Sequence, residues 1–343
     1  GGSGPAWMIV GFFSFNWLLW VPLLRGAAMG NVAEDVVRDV VPLVFLFLPL
    51  LLGPAFAGVE RAASILAAGL GGAGVLFALR WLAADGAPVD PAERYLPNDP
   101  AVSFAAVLLP ACAAALLAHP GIGRRSAWPG ALLLGACGAV ALAALVAGVH
   151  RAAGVAAVLA LGGLWVFNWR RAPVLHAAGT AVGAAALWLL REPIGRVSST
   201  FAAKTELVGF NGRQEELAEV FRTVTASWDL FLFGTGWGGL FANPAVGEWW
   251  VSYVHSLPGY LLLKTGLTGC IAAAAWAGTL VPPALRVLSR RPVLGVAVLV
   301  PLLVGAGVHT GYKYLTFGLL LGLLVLADTR GRPVPHHLRS GHG

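Results

Sequence analysis

Charge is what this chain has least of. Asp, Glu, Lys and Arg make up 11% of its 343 residues, against about 25% in soluble domains, which excludes an ordinary water-soluble enzyme. Lysine is scarcest, with only Lys204, Lys264 and Lys313. Cysteine is nearly absent too. Cys112, Cys137 and Cys270 lie in or at apolar segments, and none has a Cys or His neighbour at metal-ligand spacing, so neither a disulfide framework nor a zinc site is expected. No metal or cofactor is called for. The formal net charge of +7 comes from short basic clusters between apolar runs. That is the pattern of membrane topology and not of nucleic-acid binding. The opening Gly-Gly-Ser-Gly, without an initiator Met, reads as a linker scar, and residues 1–4 are set aside.

Apolar residues are abundant, at 58%. Runs of about 18 or more recur, each long enough to cross a hydrocarbon core of about 30 Å. The pattern predicts an all-α, polytopic helical membrane protein of about ten spans, at 6–24, 40–58, 62–83, 101–118, 128–149, 152–169, 172–190, 256–281, 292–308 and 312–327. Seven fall within 5–190 and three within 256–328, with a tail over 329–343. The basic pairs Arg124-Arg125, Arg170-Arg171 and Arg290-Arg291 fall in loops on one side, which the positive-inside bias makes cytoplasmic. Both termini are then cytoplasmic, and the long connection 191–255 faces the other way. No internal repeat of the transporter kind is visible.

That connection holds twelve charged residues, five basic and seven acidic, so any anion site in it must be a local cluster. A loop this long is functional or disordered. Asn211 with Gln214 three positions on predicts a capped helix start. Leu217, Val220, Phe221 and Val224 then form an apolar stripe at helical spacing. The spacing predicts an amphipathic helix over about 212–226, lying on the bundle surface. The aromatics that follow, Trp228 to Tyr253, fit an interfacial belt.

Several residues are candidates for chemistry. Arg213 shares a face with Leu217 near the helix start, where backbone N–H groups also favour an anion. Its planar fork suits a diphosphate, or else it pairs with Glu215, Glu216 or Glu219 on a solvated face. Arg191 and Arg196 sit just outside the seventh span, as anion ligands or as snorkelling side chains; Arg222 is a further candidate. His255 sits where the loop re-enters the membrane, an edge position that marks function by default. Neutral imidazole there can take a proton from a hydroxyl, or bond to backbone or headgroup. His309 and Lys313 lie at the same end, lining the same cavity or, for Lys313, snorkelling. Gly234 to Gly239 spells G-x-G-x-x-G but lacks the strand–helix context of a dinucleotide site. A tight turn bringing backbone close to a substrate fits better.

His255-Ser256-x9-Gly266-x2-Gly269 matches the His-[Asn/Ser/Gln]-x9-Gly-x2-Gly signature of the O-antigen ligase and O-antigen polymerase superfamily. Arg213-x3-Leu217 matches the Arg-x3-Leu element of that family's large periplasmic loop, and the run containing Gly234 and Gly236 is similar to its glycine-rich approach to the His. The chain resembles this family in motif order over about 190–270. The resemblance implies a metal-independent, inverting glycosyltransferase of the membrane GT-C type, in the bacterial inner membrane with its site facing the periplasm. The donor would be a glycan on undecaprenyl diphosphate. Arg213 would bind the diphosphate, joined by Arg191 and Arg196, and His255 would activate or orient the acceptor hydroxyl. A ligase would transfer to lipid A–core, a polymerase to a second lipid-linked repeat unit. The pairing of Arg-x3-Leu with His-Ser leans to ligase. A flippase for the same lipid would place charges within spans, and a purely structural membrane protein would leave these Arg and His positions replaceable.

Overall fold

The computed structural model describes residues 4–56, 58–84, 93–118, 124–148, 150–168, 212–244, 247 and 249–329. They form a helical bundle: α1 (Gly4–Ala28), α2 (Ala33–Leu46), α3 (Leu48–Phe56), α4 (Ala62–Ala83), α5 (Pro100–Ala118), α6 (Arg124–Ala147), α7 (Arg151–Asn168), α8 (Arg213–Val224), α9 (Trp228–Phe233), a hairpin of β1 (Phe241–Asn243) and β2 (Trp249–Val251), α10 (Leu257–Arg290), α11 (Pro292–Gly307) and α12 (Leu315–Thr329). Among the described residues, six stretches are long and apolar enough to cross a membrane: Ala6–Ala28, Ala33–Phe56, Ala62–Ala83, Pro100–Ala118, Ala127–Ala147 and Leu257–Arg290. The spans expected at 152–169, 292–308 and 312–327 form shorter apolar helices, and 172–190 lies outside the described residues. Large apolar side chains face outward, among them Phe12, Phe13, Leu132, Leu159 and Val166. Water would penalise that arrangement and lipid does not. This is a multi-pass helical membrane protein.

The interior is built from small residues and broken helices. Along α5, every residue from Pro100 to Leu108 is buried. Gly138 of α6 lies against the Pro110 ring, where a Cβ would come within 2.5 Å of it; small residues let membrane helices approach closely. Three helix breaks then free carbonyls inside the bundle. Pro22 has no N–H to give Leu18, and the Leu18 oxygen takes Trp237 Nε1 at 2.9 Å. The α2–α3 line is interrupted at Phe47, and the Leu46 oxygen takes Trp276 Nε1 at 3.0 Å. Gly266 breaks α10 with φ +62° and ψ −165°, exposing the carbonyls of Leu263 and Lys264 within the helix line. A buried carbonyl must find a donor, and these four are met by residues from other elements.

The surface helix exists but differs from its sequence-based outline. Gly212 stands at its N-cap with φ +64° and no side-chain bond; the expected cap, Asn211, lies outside the described residues. Its buried face is Glu216, Val220 and Val224, while Leu217 and Phe221 are exposed. The helix is turned so that Glu216 joins Val220 and Val224 on the face toward the protein in place of Leu217 and Phe221, and partners for that acid lie beneath it. The aromatic run divides as well. Trp228, Trp249 and Trp250 are exposed, but Trp237 and Phe241 are core.

Candidate functional site

The run Gly234-Thr-Gly-Trp-Gly-Gly239 is the scaffold of the site. It threads between α1, α2 and α10 and supplies the donors that the broken α10 lacks. Thr235 N donates to Leu263 O at 2.8 Å and Gly236 N to Lys264 O at 2.9 Å. Asn31 Nδ2, at the end of α1, donates to the oxygens of Thr235 and Trp237 at 3.0 and 2.8 Å. Glycines are required because backbone meets backbone. A Cβ on Gly236 would collide with Gly26, and one on Gly234 would lie 2.5 Å from the Lys264 carbonyl carbon. The expected turn is present, with its close approach made to the protein's own helices.

Beneath this run lies a buried ion pair, Lys264 Nζ to Asp39 Oδ2 at 2.6 Å, with both side chains almost wholly buried. Asp39 Oδ2 also accepts from Gly238 N at 2.8 Å, Lys264 donates to the Gly239 oxygen, and Tyr260 Oη donates to the Asp39 carbonyl at 3.2 Å. The pair therefore ties α2 and α10 to the glycine run. Neither residue was singled out as a site candidate from sequence. The signal was available, because an ionisable group in an apolar run is expensive and rarely idle.

His255 stands on this scaffold at the mouth of α10. Ser256 is the N-cap, its Oγ accepting from Gly259 N at 3.3 Å, and Pro258 occupies the first turn, where no N–H is needed. Glu216, 2% exposed, reaches His255 twice: its Oε1 is 2.9 Å from Nδ1, and its Oε2 accepts the His255 backbone N–H at 3.0 Å. Asn243 Nδ2 donates to the same Oε1 at 2.5 Å. Burial pushes the Glu216 carboxyl up, but the bonds from His255 and Asn243 outweigh it and hold the group below its ordinary value. Glu216 stays ionised. The His255 side chain is 28% exposed, so its edge faces open space.

Cations and a second imidazole surround this pair. Arg213, half-buried, begins α8 one turn before Glu216. His309 follows α11 in the turn leading to α12, its ring 5.6 Å from that of His150 in a T-shaped contact. Burial, then the charges of Arg213 and His255, push the His309 imidazole down to about 4, so it is neutral at physiological pH. Lys313, in the same turn, lies 5.0 Å from the Tyr253 ring centroid, and Tyr253 packs edge-on against His255 at 5.7 Å. Burial brings Lys313 down to about 8 against the attraction of Asp39. Arg213, His255, His309 and Lys313 are thus gathered at one end of the bundle by α8, the mouth of α10 and the α11–α12 turn.

The other candidates fall elsewhere. Arg222 is 78% exposed and pairs with Glu219 on the outer face of α8, away from this group. Arg191 and Arg196 lie outside the described residues. Leu217 is exposed, though it borders Gly259. Gly266 and Gly234 form one backbone contact, and Gly269 packs against the Thr265 side chain one turn back. Sequence reasoning missed Glu216 as a His255 partner, because three acids follow Arg213 within six residues and spacing alone does not say which one turns inward. Asn243 gave no local signal at all.

No protein-family model matches this chain, and no curated protein matches it.

Proposed function

We propose that the protein is a metal-independent, inverting glycosyltransferase that moves a glycan from undecaprenyl diphosphate to an acceptor hydroxyl at the periplasmic face of a bacterial inner membrane, with lipid A–core as acceptor. The observation that carries this reading is the convergence of His255 with Arg213, His309 and Lys313 at the mouth of α10. Two cations beside a neutral imidazole suit a reaction whose leaving group is a diphosphate and whose nucleophile is a hydroxyl.

In this mechanism the acceptor oxygen attacks the anomeric carbon from the side opposite the diphosphate. The anomeric C–O bond breaks, and its electron pair leaves with the lipid diphosphate. Arg213 and Lys313 offset the negative charge there, the kind of fixed charge that stabilises a leaving group most effectively in a water-poor site. His255 takes the hydroxyl proton. The motifs around His255 and Arg213 that resemble the O-antigen ligase and polymerase superfamily support the same reading.

The Asp39–Lys264 pair favours a second reading, transport of the same lipid-linked glycan, since ionisable groups within spans mark transport paths. Its bonds to Gly238 and Gly239 argue against it, because the pair is engaged in holding the fold.

The test is transfer from purified undecaprenyl-diphosphate-linked glycan in excess EDTA, with lipid A–core and a second lipid-linked repeat unit offered in parallel. Product on lipid A–core, lost in Arg213→Ala and His255→Ala, supports the proposal. Lengthened lipid-linked chains make the protein a polymerase. Product on neither acceptor, with glycan crossing the bilayer of proteoliposomes, makes it a transporter.

A further inference from the structure

We infer that Glu216 is the positioning residue of a Glu216–His255 dyad, which fixes the proton of His255 on Nδ1 and leaves Nε2 as the atom that receives the acceptor's proton, with Asn243 holding Glu216 in register. This rests on the glycosyltransfer reading and assigns roles that the sequence motifs do not include.

The argument is one of donors and acceptors. A carboxylate has only acceptors to offer, and Glu216 is held ionised. Its Oε2 is engaged by the His255 backbone N–H at 3.0 Å and its Oε1 by Asn243 Nδ2 at 2.5 Å. At 2.9 Å from Oε1, a bare Nδ1 lone pair would face a second lone pair and a negative charge. Nδ1 must carry the hydrogen. In neutral imidazole the other nitrogen is then an acceptor. The bond made by one ring nitrogen sets the chemistry of the other.

The dyad is also fixed in direction. Glu216 grips both the backbone and the ring of His255, so the ring has little freedom to swing. Asn243 lies on β1 across from Trp249 on β2, and it comes from a different element from either member of the pair. Three elements, α8, β1 and the mouth of α10, meet at one carboxylate that is 2% exposed. The other ionisable groups around the ring are Arg213 from α8, Tyr253 beside it, and His309 and Lys313 from the α11–α12 turn. Among the described residues none of these is another carboxylate, so of them Glu216 is the one that supplies negative charge to the imidazolium formed on proton transfer.

Glutamine at 216 would be nearly isosteric, but it has one acceptor oxygen and one donor amide. It cannot accept from the His255 backbone and from both Nδ1–H and Asn243. The test uses 15N-histidine spectra of the full chain in nanodiscs, with the His255 resonance identified by its loss in His255→Gln. Kinetics with the lipid-linked donor run alongside on wild type, Glu216→Gln, Glu216→Asp and Asn243→Ala. The wild-type spectrum should show the Nδ1–H tautomer. Glu216→Gln should mix the tautomers and lower kcat about 100-fold or more with donor KM within about 3-fold. Glu216→Asp should recover part of kcat, and Asn243→Ala should lie between. A wild-type Nε2–H tautomer overturns the inference even if Glu216→Gln fails to fold. So does a Glu216→Gln enzyme with unchanged kcat. If wild type transfers glycan to no acceptor, the functional reading fails while the tautomer still decides the geometry.

Discussion

Gly234 and Gly266 meet backbone to backbone: a Cβ on either would lie 2.5 Å from main-chain carbon of the other's segment, and both have positive φ, +68° and +62°. One ends α9 and the other breaks α10, so the contact is where the glycine run enters the bundle. Gly234→Ala and Gly266→Ala should each cost about 2–4 kcal/mol, since side chains strain this conformation and the backbone has no room to retreat. Gly278→Ala, on the same α10 with open space around its Cα, should be neutral or slightly stabilising. Thermal unfolding in detergent, followed by gel filtration, separates the three. A Gly266→Ala protein as stable as wild type would mean that the kink is not required.

Trp237 and Pro22 form a pair through a third residue, because the indole takes the Leu18 carbonyl that proline leaves without a donor. Trp237→Phe should destabilise by about 1–3 kcal/mol beyond the lost packing, the usual cost of orphaning a buried carbonyl. In a Pro22→Ala background the new N–H can serve Leu18, and the cost of Trp237→Phe should fall. A double-mutant cycle in detergent measures this coupling. Additive effects would show that the indole bond contributes only volume.

The bundle was legible because apolar runs of span length have one dominant solution, a helix with its backbone bonds made internally. Helix α8 was legible from its spacing, and His255 from its place at a span edge. Its rotation was not. Leu217 and Phe221 looked inward by hydrophobicity, and a single buried bond network at Glu216 reversed that preference. The glycine run was readable as a turn, but what it approaches depends on carbonyls freed by Pro22 and Gly266, in helices far away in sequence. Asp39 and Lys264 lie 225 positions apart, and no local pattern pairs them.

That pair should behave as a buried charge couple does. Asp39→Asn or Lys264→Met alone strands one charge in the interior and should cost about 3–5 kcal/mol. The double substitution removes both charges and should recover a large part of the loss, although the Gly239 carbonyl still lacks its donor. Equal loss in the singles and the double, in thermal unfolding, would mean that hydrogen bonding and not charge dominates.

Arg213 and Arg222 share α8 but not an environment, and their variants should diverge. Arg222→Ala removes an exposed pair with Glu219, of a kind that contributes about 0–1 kcal/mol; glycan transfer should stay within about twofold of wild type. Arg213→Ala should leave the fold intact and lower kcat/KM about 100-fold, a difference of about 2.7 kcal/mol. Steady-state transfer rates on the two variants decide it. Equal effects would place the substrate along the outer face of α8 instead of at the mouth of α10.

His309 should give the folded protein a pH dependence of its own. Its imidazole titrates near 4 in the fold and near 6.5 when unfolded. Between those values the unfolded chain holds the extra proton, so stability falls as pH drops from about 6.5 to about 4 and levels off below. A shift of this size corresponds to at most about 3 kcal/mol, and partial exposure reduces it. Glu216 acts in a lower window. Its depressed carboxyl contributes stability above the ordinary carboxylate range, which is lost as pH falls through its folded value. His309→Gln should therefore flatten the thermal unfolding curve between pH 6.5 and 4.5 and leave the acid limb below pH 4 in place. If the variant and wild type lose stability in parallel from pH 6.5 downward, the imidazole is not held neutral by its burial and the nearby charges, and the packing of these groups at the mouth of α10 would be looser than the structure has it.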